Sequence, residues 1–256
     1  VYKRQVPTLL YRLLDMNATS RKRLDSLETM FYGAAPMSPS KLAELQAAFG
    51  NIFVQAYGST EHLGVALSMS KGDHLVDADD SHLASAGRPA PGVEVEIMDD
   101  DGQPVARGET GEIWLRSRAI VKGYFGSPQL TAAEFHDGFW KSGDMGRIDE
   151  RGFFHIVDRK KDMILVSGFN VFPNEIEEAV AAMPGVIESA CVGVPSEASG
   201  EAVKLFVVKS DDGVSEEDVR SFCRERLAAY KVPRQVVFLP ELPKSAVGKI
   251  LRRELK

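Results

Sequence analysis

The 256-residue chain has few of the features that mark secreted, membrane-spanning or nucleic-acid-binding proteins. It has only two cysteines, Cys191 and Cys223, without metal-ligand spacing, so they are expected to be reduced structural residues of a cytoplasmic protein. No run of about 18 apolar residues occurs, and no membrane span is expected. The formal net charge of -6 argues against general nucleic-acid binding.

Several catalytic signatures are also missing. The chain has neither a G-x-S-x-G nucleophile elbow nor a G-x-G-x-x-G dinucleotide turn. Its five histidines are too scattered for a metal cluster: His62, His74, His82, His136 and His155. The first residues, VYKRQVPTLLYRLL, include no Met and no small-residue cleavage site. They do not indicate a signal peptide and are expected to enter the middle of a domain.

The remaining patterns predict two domains, the first over residues 1–158 with α/β character. MSPSKLAELQAAFG predicts a helix capped by Ser38, with Pro39 in its first turn and Gly50 as its stop. NIFVQAYG predicts a buried strand that runs into a glycine turn. From about residue 85 to 157 short strands alternate with turns, which predicts a small β subdomain.

The second domain is predicted over residues 159–256 as an α+β unit. Its start lies in DRKKD, a charged run expected to be an exposed connector. Strands and helices then alternate, including a helix that opens with Ser215 and Asp218 at capping-box spacing. The chain is predicted to end in a short basic helix.

The stretch AYGSTEHLG has the character of a phosphate-binding turn at the end of a strand. Backbone N–H groups and the hydroxyls of Ser59 and Thr60 could cradle phosphate oxygens, and the Glu61 carboxylate could hold Mg²⁺. The ring of Tyr57 offers a surface on which a purine could stack. A hydroxyl-capped turn before a helix explains the same residues equally well.

Two further stretches could hold a nucleoside. In FYGAAP the small residues Gly33, Ala34 and Ala35 would let a flat ring approach the backbone, although a plain strand-to-turn transition is the better interpretation of this stretch alone. In WKSGDMGRID the Asp144 carboxylate could accept hydrogen bonds from ribose hydroxyls, and Arg159 could donate to the same sugar. The simpler interpretations are a β-turn and a solvated charge run.

Two residues of the last hundred stand in glycine-rich surroundings. Gly168, in VSGFNVFPNEIEEAV, could permit close approach of a ligand to the backbone, or it could simply end a strand. Lys249, in PKSAVGKILRREL, could act in catalysis, but most lysines that follow such a turn do nothing specific.

Taken together and in this order, these stretches resemble the acyl-adenylate-forming (AMP-binding) superfamily, which includes acyl-CoA synthetases, adenylation domains of peptide synthetases and beetle luciferases. The resemblance runs from about Val6 to the last residue. Its motifs are GAAP, YGSTE, GEIWLRSRAIVKGYFGSPQLT, WKSGD, DRKKDMILVSGFNVFPNEIE and PKSAVGKILRREL. The fifth motif and SGEAVKLFVVK are most similar to bacterial long- or medium-chain fatty acid–CoA ligases.

The resemblance implies a C-terminal part of the AMP-binding domain followed by a small mobile domain, with a hinge near Lys161. It also implies roles for individual residues. Adenine would be surrounded by Gly33, Ala34, Ala35 and Tyr57, and the ribose would be bound by Asp144 and Arg159. The phosphates would meet Gly58, Ser59 and Thr60. Mg²⁺ would be held by Glu61. Gly168 would lie beside the pantetheine of CoA, and Lys249 would be the lysine required for adenylation.

The implied function is ATP-dependent acyl-CoA synthesis from a carboxylic acid, expected to be a fatty acid, with ATP, Mg²⁺ and CoA. Leu63 and Val65 are candidates for the acyl pocket. Peripheral membrane association is compatible with this function, and the sequence indicates no oligomeric state.

One family feature is missing from the chain: a Ser/Thr/Gly-rich loop ending in Pro-Lys-Gly, which grips the β- and γ-phosphates. The chain is therefore expected to be a fragment of a ligase of about twice its length. Two alternatives stay open, an adenylation domain that loads a carrier protein and a non-catalytic remnant of the fold.

Overall fold

The computed structural model describes residues 2–15, 26–35, 37–75, 81–210, 213–245 and 250–256. The chain divides into two compact units, Val1–Ile156 and Val157–Lys256. This division lies two residues before the predicted boundary at residue 158. The architecture is mixed α/β and rich in sheet, as predicted, and no helix of the described ranges could cross a membrane.

The first unit opens with a five-stranded sheet. Its strands are, in spatial order, β1 (Tyr2–Gln5), β2 (Thr29–Gly33), β3 (Phe53–Tyr57), β4 (Leu67–Met69) and β5 (Arg88–Pro89). The first three strands are parallel, and β4 and β5 continue the sheet in antiparallel pairs. Helix α1 (Pro7–Asp15) follows β1, and helix α2 (Pro39–Phe49) follows β2. The carboxyl ends of β2 and β3 therefore lie at the same edge of the sheet.

Helix α2 has the predicted bounds, but its first turn differs in detail. Ser38 occupies the cap position, and Gly50 ends the helix with φ of 76°. Within the described residues the Ser38 hydroxyl does not cap the first turn and instead lies 2.8 Å from the Ser40 hydroxyl. Leu42 and Leu45 are fully buried in a cluster with strand β3, so packing rather than side-chain capping holds this helix in place.

The predicted β subdomain is a second five-stranded sheet. Its strands are β6 (Glu94–Met98), β7 (Gly111–Arg116), β8 (Phe135–His136), β9 (Phe139–Ile148) and β10 (Phe154–Arg159). The spatial order is β10-β9-β7-β6, and β8 pairs with β9. Helix α3 (Pro128–Glu134) precedes β8. This sheet matters for the site because β9 contains the stretch WKSGD.

The second unit is built on a third sheet. Its strands are β11 (Ile164–Val166), β12 (Phe169–Val171), β13 (Val186–Ser196), β14 (Gly200–Lys209) and β15 (Gln235–Phe238). The spatial order is β12-β11-β14-β13, and β15 pairs in parallel with β14. Helices α4 (Pro173–Ala181) and α5 (Glu216–Arg224) contribute Ile176, Val180, Val219 and Cys223 to its core.

The prediction of a terminal helix is wrong for residues 250–256. The structure has a 3₁₀ turn of three residues there, Arg252–Glu254. Ile250 bridges to Lys244, and the Leu251 N–H donates to the Pro243 carbonyl at 2.9 Å. Because pairing occupies these two residues, the few that follow are too short to nucleate an α-helix.

Candidate active site

The FYGAAP stretch lies where β2 ends beside β3. Gly33 pairs with Ala56, and a Cβ built on Gly33 would lie 2.0 Å from the Ala56 carbonyl oxygen. The neighbouring strand therefore already requires glycine at this position, whether or not a ligand approaches. The next residue, Ala34, has φ of 64°, so the chain turns sharply away from the strand before Ala35.

The YGSTE stretch forms a closed turn after β3 rather than the start of a helix. The Tyr57 carbonyl accepts from the Ala66 N–H at 2.7 Å. A Cβ on Gly58 would lie 2.0 Å from the Gly64 carbonyl oxygen, so the two arms of the turn touch backbone to backbone. The Ser59 hydroxyl accepts from the His62 N–H at 3.2 Å.

Two of the predicted residues meet in a hydrogen bond across 87 positions of sequence. The Tyr57 hydroxyl donates to Asp144 Oδ2 at 2.6 Å, which joins the end of β3 to strand β9. Asp144 is buried, and its N–H donates to the Ser142 hydroxyl at 3.0 Å. The structure thus brings the YGSTE and WKSGD stretches together, with Tyr57 making a polar contact through its hydroxyl in addition to offering its ring.

The Glu61 carboxylate has a partner that the sequence did not reveal. The Tyr124 hydroxyl donates to Glu61 Oε1 at 3.2 Å, and the Trp140 indole N–H lies 3.3 Å from the Tyr124 hydroxyl oxygen. Burial is the main cause that raises the pKa of Tyr124, opposed by the Trp140 hydrogen bond and supported by Glu61. The hydroxyl therefore stays protonated and can hold the Glu61 carboxylate in place. The main chain helps, because the Glu61 carbonyl accepts from the Val121 N–H at 2.8 Å.

A third contact missed from the sequence steadies the turn before Asp144. The buried Glu112 accepts from the Gly143 N–H through Oε1 at 3.1 Å. No catalytic sequence pattern marks Tyr124, Trp140 or Glu112. The available signal was that Tyr124 and Glu112 stand inside GEIWLRSRAIVKGYFGSPQLT and that Trp140 opens WKSGD.

Around the charged run of the second unit, the structure corrects the expected exposed connector. Arg159 and Lys161 are exposed, but Asp158 is only 2% exposed. Asp158 Oδ1 accepts from the Arg159 N–H at 2.7 Å and Oδ2 from the Asn174 N–H at 2.8 Å. Burial nevertheless raises the pKa of Asp158. The run is therefore anchored by one buried carboxylate at the start of helix α4.

Gly168 lies in a two-residue turn between β11 and β12. Ser167 and Gly168 have φ of 52° and 84°, and Val166 pairs with Phe169, which is the pattern of a type I′ hairpin. A Cβ on Gly168 would meet nothing within 4 Å. Backbone conformation therefore favours glycine here, and the space beside it is open.

The remaining predicted residues have these positions. Thr60 is exposed in the closed turn, Leu63 is exposed there with φ of 55°, and Val65 is half-buried. Lys249 lies outside the described residues. Ile250 and Lys244, on either side of it, form the bridge described above.

Comparison with known proteins matches these features to one family. The model for the AMP-binding enzyme matches residues 4–125, and the model for the AMP-binding enzyme C-terminal domain matches residues 175–249. The chain belongs to the AMP-binding enzymes. Both stretches that supply Gly33 and Tyr57 fall inside the first match, and the second match begins within helix α4, at Glu175.

The chain is similar to long-chain-fatty-acid–CoA ligase of Salmonella typhimurium, with 45% identity over 251 residues. That match covers 98% of this chain and 44% of the relative. Medium/long-chain-fatty-acid–CoA ligase of Mycobacterium tuberculosis is 40% identical, and the match covers 95% of this chain and 43% of the relative. The chain thus spans less than half the length of these relatives.

Solved structures with the same fold include enzymes of different acceptor chemistry. Amide bond synthetase McbA of Marinactinospora thermotolerans superposes with a TM-score of 0.89 at 36% identity, covering 100% of this chain and 52% of that one. o-Succinylbenzoate CoA synthetase of Bacillus subtilis, solved with its acyl-adenylate intermediate, has a TM-score of 0.86 at 30% identity, covering 100% of this chain and 51% of that one.

Proposed function

We propose that this chain is the C-terminal part of an ATP-dependent fatty acid–CoA ligase. The enzyme would join a carboxylate to AMP with release of pyrophosphate and then transfer the acyl group to the thiol of CoA. The observation that carries the proposal is the 2.6 Å hydrogen bond from Tyr57 to Asp144. It unites a phosphate-type turn with a carboxylate suited to a ribose, as an adenylate site requires.

In the proposed site the nucleotide lies over the carboxyl ends of β2 and β3. Asp144 accepts from the ribose hydroxyls, and Arg159 is the further donor that the family resemblance implies. The ring of Tyr57 and the main chain of Gly33, Ala34 and Ala35 border the adenine. The turn from Gly58 to Thr60 offers N–H groups and hydroxyls to the phosphates.

Glu61 fits the proposed role in binding Mg²⁺. Among the described residues no group of three or more His, Cys, Asp or Glu side chains could form a complete metal site. Mg²⁺ in nucleotide sites is commonly held by one or two carboxylates together with phosphates and water, so one oriented carboxylate suffices. When bound, the ion would supply positive charge that offsets the charge building up on the phosphates.

In the first reaction a carboxylate oxygen would bond to the α-phosphorus of ATP while the bond from that phosphorus to the pyrophosphate oxygen breaks. Negative charge crowds this transition state, so a positioned cation lowers the barrier mainly through electrostatics and alignment. Lys249 is the proposed cation.

In the second reaction the CoA thiol, on losing its proton, would attack the acyl carbon and AMP would leave. Lys249 serves only the first reaction in this proposal. The second unit would change its orientation about Lys161 between the two, so that Gly168 lies beside the pantetheine in the second. The open space at Gly168 supports this assignment.

The test is a substrate screen on the full-length enzyme that carries this chain. Pyrophosphate release is measured with ATP and straight-chain acids from acetate to stearate, with benzoate as an aromatic comparison. Acyl-CoA is then measured by chromatography. We expect both products with medium- or long-chain acids. Asp144→Asn should lower the rate strongly, whereas Asp101→Asn, in an exposed loop, should not.

The acceptor in the screen separates the alternatives. Pyrophosphate release without acyl-CoA would contradict CoA as the acceptor, and a carrier protein or an amine would then be tested, since a structural neighbour is an amide bond synthetase. No pyrophosphate release with any acid would favour the non-catalytic remnant.

A further inference from the structure

A cluster of half-buried charges joins the end of the chain to helix α4. The Arg252 guanidinium donates to both oxygens of Glu177, through Nε at 3.2 Å and Nη2 at 2.8 Å. Nη2 also donates to Asn174 Oδ1 at 2.8 Å, and Nη1 lies 3.7 Å from Asp162 Oδ2. The Arg252 and Glu177 side chains are only 20% and 16% exposed. Two hydrogen bonds from one guanidinium to both oxygens of one carboxylate fix the relative orientation of the two side chains.

The same cluster reaches both sides of Lys161. Asp158 accepts from the Asn174 N–H, and Asp162 faces Arg252. Burial raises the pKa of Glu177, although Arg252 opposes this effect. Burial alone would lower the pKa of Arg252, but the surrounding carboxylates, Glu177 first, raise it overall. The guanidinium therefore remains charged and offsets the negative charge of the carboxylates around it.

The segment around Lys249 is held on both of its sides. Before it, Lys244 forms an ion pair with Glu188 at 2.7 Å. After it, the Leu251 N–H bonds to Pro243, and Leu255 is buried in a hydrophobic cluster with Ala190 and Phe206. Arg252 lies between these two anchors and is three positions from Lys249.

A buried ion pair is weak evidence for stability, because desolvation can cost as much as the attraction returns. Its geometric effect is clearer, since each hydrogen bond fixes a direction. We infer that Arg252 is a positioning residue for the adenylation step: it fastens the residues that directly follow Lys249 to helix α4 and to Asp162. The end of the chain and helix α4 would then move as one body when the orientation about Lys161 changes. This inference rests on the proposed function of Lys249.

The neighbouring Arg253 provides a matched control. It has the same charge and lies one residue further along, but its side chain is 82% exposed and its nearest carboxylate is Glu254 at 3.9 Å. A change at Arg253 removes one positive charge from the same segment without touching the half-buried cluster.

The experiment measures each half-reaction separately in the full-length enzyme. Adenylation is followed by pyrophosphate release, and thioester formation is started from supplied acyl-adenylate and CoA. Arg252→Gln should lower kcat of adenylation about tenfold to a hundredfold, because a displacement of about 1 Å of a reacting group has this effect. The thioester rate should change by less than about twofold, because Lys249 serves only the first reaction in the proposal. Arg252→Lys keeps the charge without the planar fork and should show the same split if Arg252→Gln folds poorly.

The double variant K249A/R252Q tests whether the two residues act as a unit. If Arg252 acts through Lys249, its loss should have no further effect on the residual adenylation of Lys249→Ala. Equal loss of both half-reactions, or equal adenylation by Arg252→Gln and Arg253→Gln, would overturn the inference alone. A wild-type enzyme that forms no acyl-adenylate from any acid would overturn the proposed function and this inference with it.

Discussion

At the scale of single residues, the candidate site depends on tyrosine hydroxyls that orient carboxylates. Tyr57 donates to Asp144 and Tyr124 donates to Glu61. A hydrogen bond to a charged group contributes about 1.5–3 kcal/mol, and removing it leaves a buried carboxylate oxygen short of a donor. These hydroxyls therefore belong to the site as much as the carboxylates do.

Replacing Tyr57 by Phe separates the ring from the hydroxyl. The ring stays available to the adenine, but the donor to Asp144 is lost. We expect the KM for ATP of the full-length enzyme to rise about tenfold, the factor that corresponds to about 1.4 kcal/mol, with the KM for the fatty acid unchanged. Pyrophosphate release against ATP concentration measures this. Tyr11→Phe, which removes a hydroxyl near the start of α2, is the control, and an equal change in both variants would contradict the prediction.

A second residue-scale feature is the buried imidazole of His74. Its Nδ1 lies 2.6 Å from the Ser70 carbonyl oxygen, so this nitrogen carries a proton, and Nε2 lies 2.9 Å from the Tyr32 hydroxyl. Burial lowers the pKa of His74 below its ordinary value of 6.5, although Ser70 and Asp73 act in the opposite direction. Because burial also raises the pKa of Tyr32, the hydroxyl stays protonated and serves as a donor to the neutral ring.

The lowered pKa of His74 predicts a loss of stability in mild acid. The unfolded chain binds the proton more readily than the folded one, so the free energy of unfolding should fall as pH drops below about 6.5. Both tryptophans, Trp114 and Trp140, lie in the first unit, and their fluorescence during urea unfolding reports on it. The unfolding midpoint should be lower at pH 5.5 than at pH 7.5.

The matched variants for this test are His74→Gln and His136→Gln. The first should flatten the pH dependence, whereas the second, at an exposed histidine, should leave it unchanged. An unchanged slope in His74→Gln would show that another group causes the acid sensitivity.

At the scale of secondary-structure elements, helix α5 is a case in which a local sequence pattern predicted the structure correctly. The Ser215 hydroxyl accepts from the Asp218 N–H at 3.2 Å, and Asp218 Oδ2 accepts from the Ser215 N–H at 3.0 Å. The predicted capping box is confirmed. It could be predicted because both of its hydrogen bonds join residues three positions apart.

Ser215→Ala should destabilise the second unit by about 1 kcal/mol, a factor of about five in its unfolded population. Both cysteines are buried in this unit, so their reaction with a thiol reagent reports its opening. The labelling rate should rise about fivefold when opening is rapidly reversible. Ser221→Ala within the same helix should not raise it, and an equal rise in both variants would contradict a capping role.

Other local structures were not predicted correctly, because hydrogen bonds that the sequence pattern does not reveal decide them. The start and end of α2 were correct, yet the Ser38 hydroxyl bonds to Ser40 instead of capping the helix. The basic end of the chain was predicted to be helical, but pairing of Leu251 with Pro243 leaves space for only a 3₁₀ turn. The DRKKD run was predicted to be exposed throughout, and helix α4 draws Asp158 into its first turn.

At the scale of the whole molecule, the proposed reaction needs more chain than these 256 residues. The chain spans 44% of its Salmonella relative and contains no loop that ends in Pro-Lys-Gly. We therefore expect this chain on its own to release pyrophosphate from ATP and decanoate at least about a hundredfold more slowly than the full-length enzyme, since losing donors to developing charge has effects of this size. Rates comparable to a full-length relative would contradict the prediction.

The order of the motifs in the sequence was sufficient to determine the family, because each motif is a short run whose residue types are set by local chemistry. The sequence also determined the capping box of α5 and the strand that leads into YGSTE, since their hydrogen bonds and burial patterns lie within a few residues. The 2.6 Å contact between Tyr57 and Asp144, the tyrosine that holds Glu61 and the ion pair that anchors Arg252 were decided only by the tertiary structure. Each joins residues more than 60 positions apart, and such pairs meet only after sheets and helices have packed.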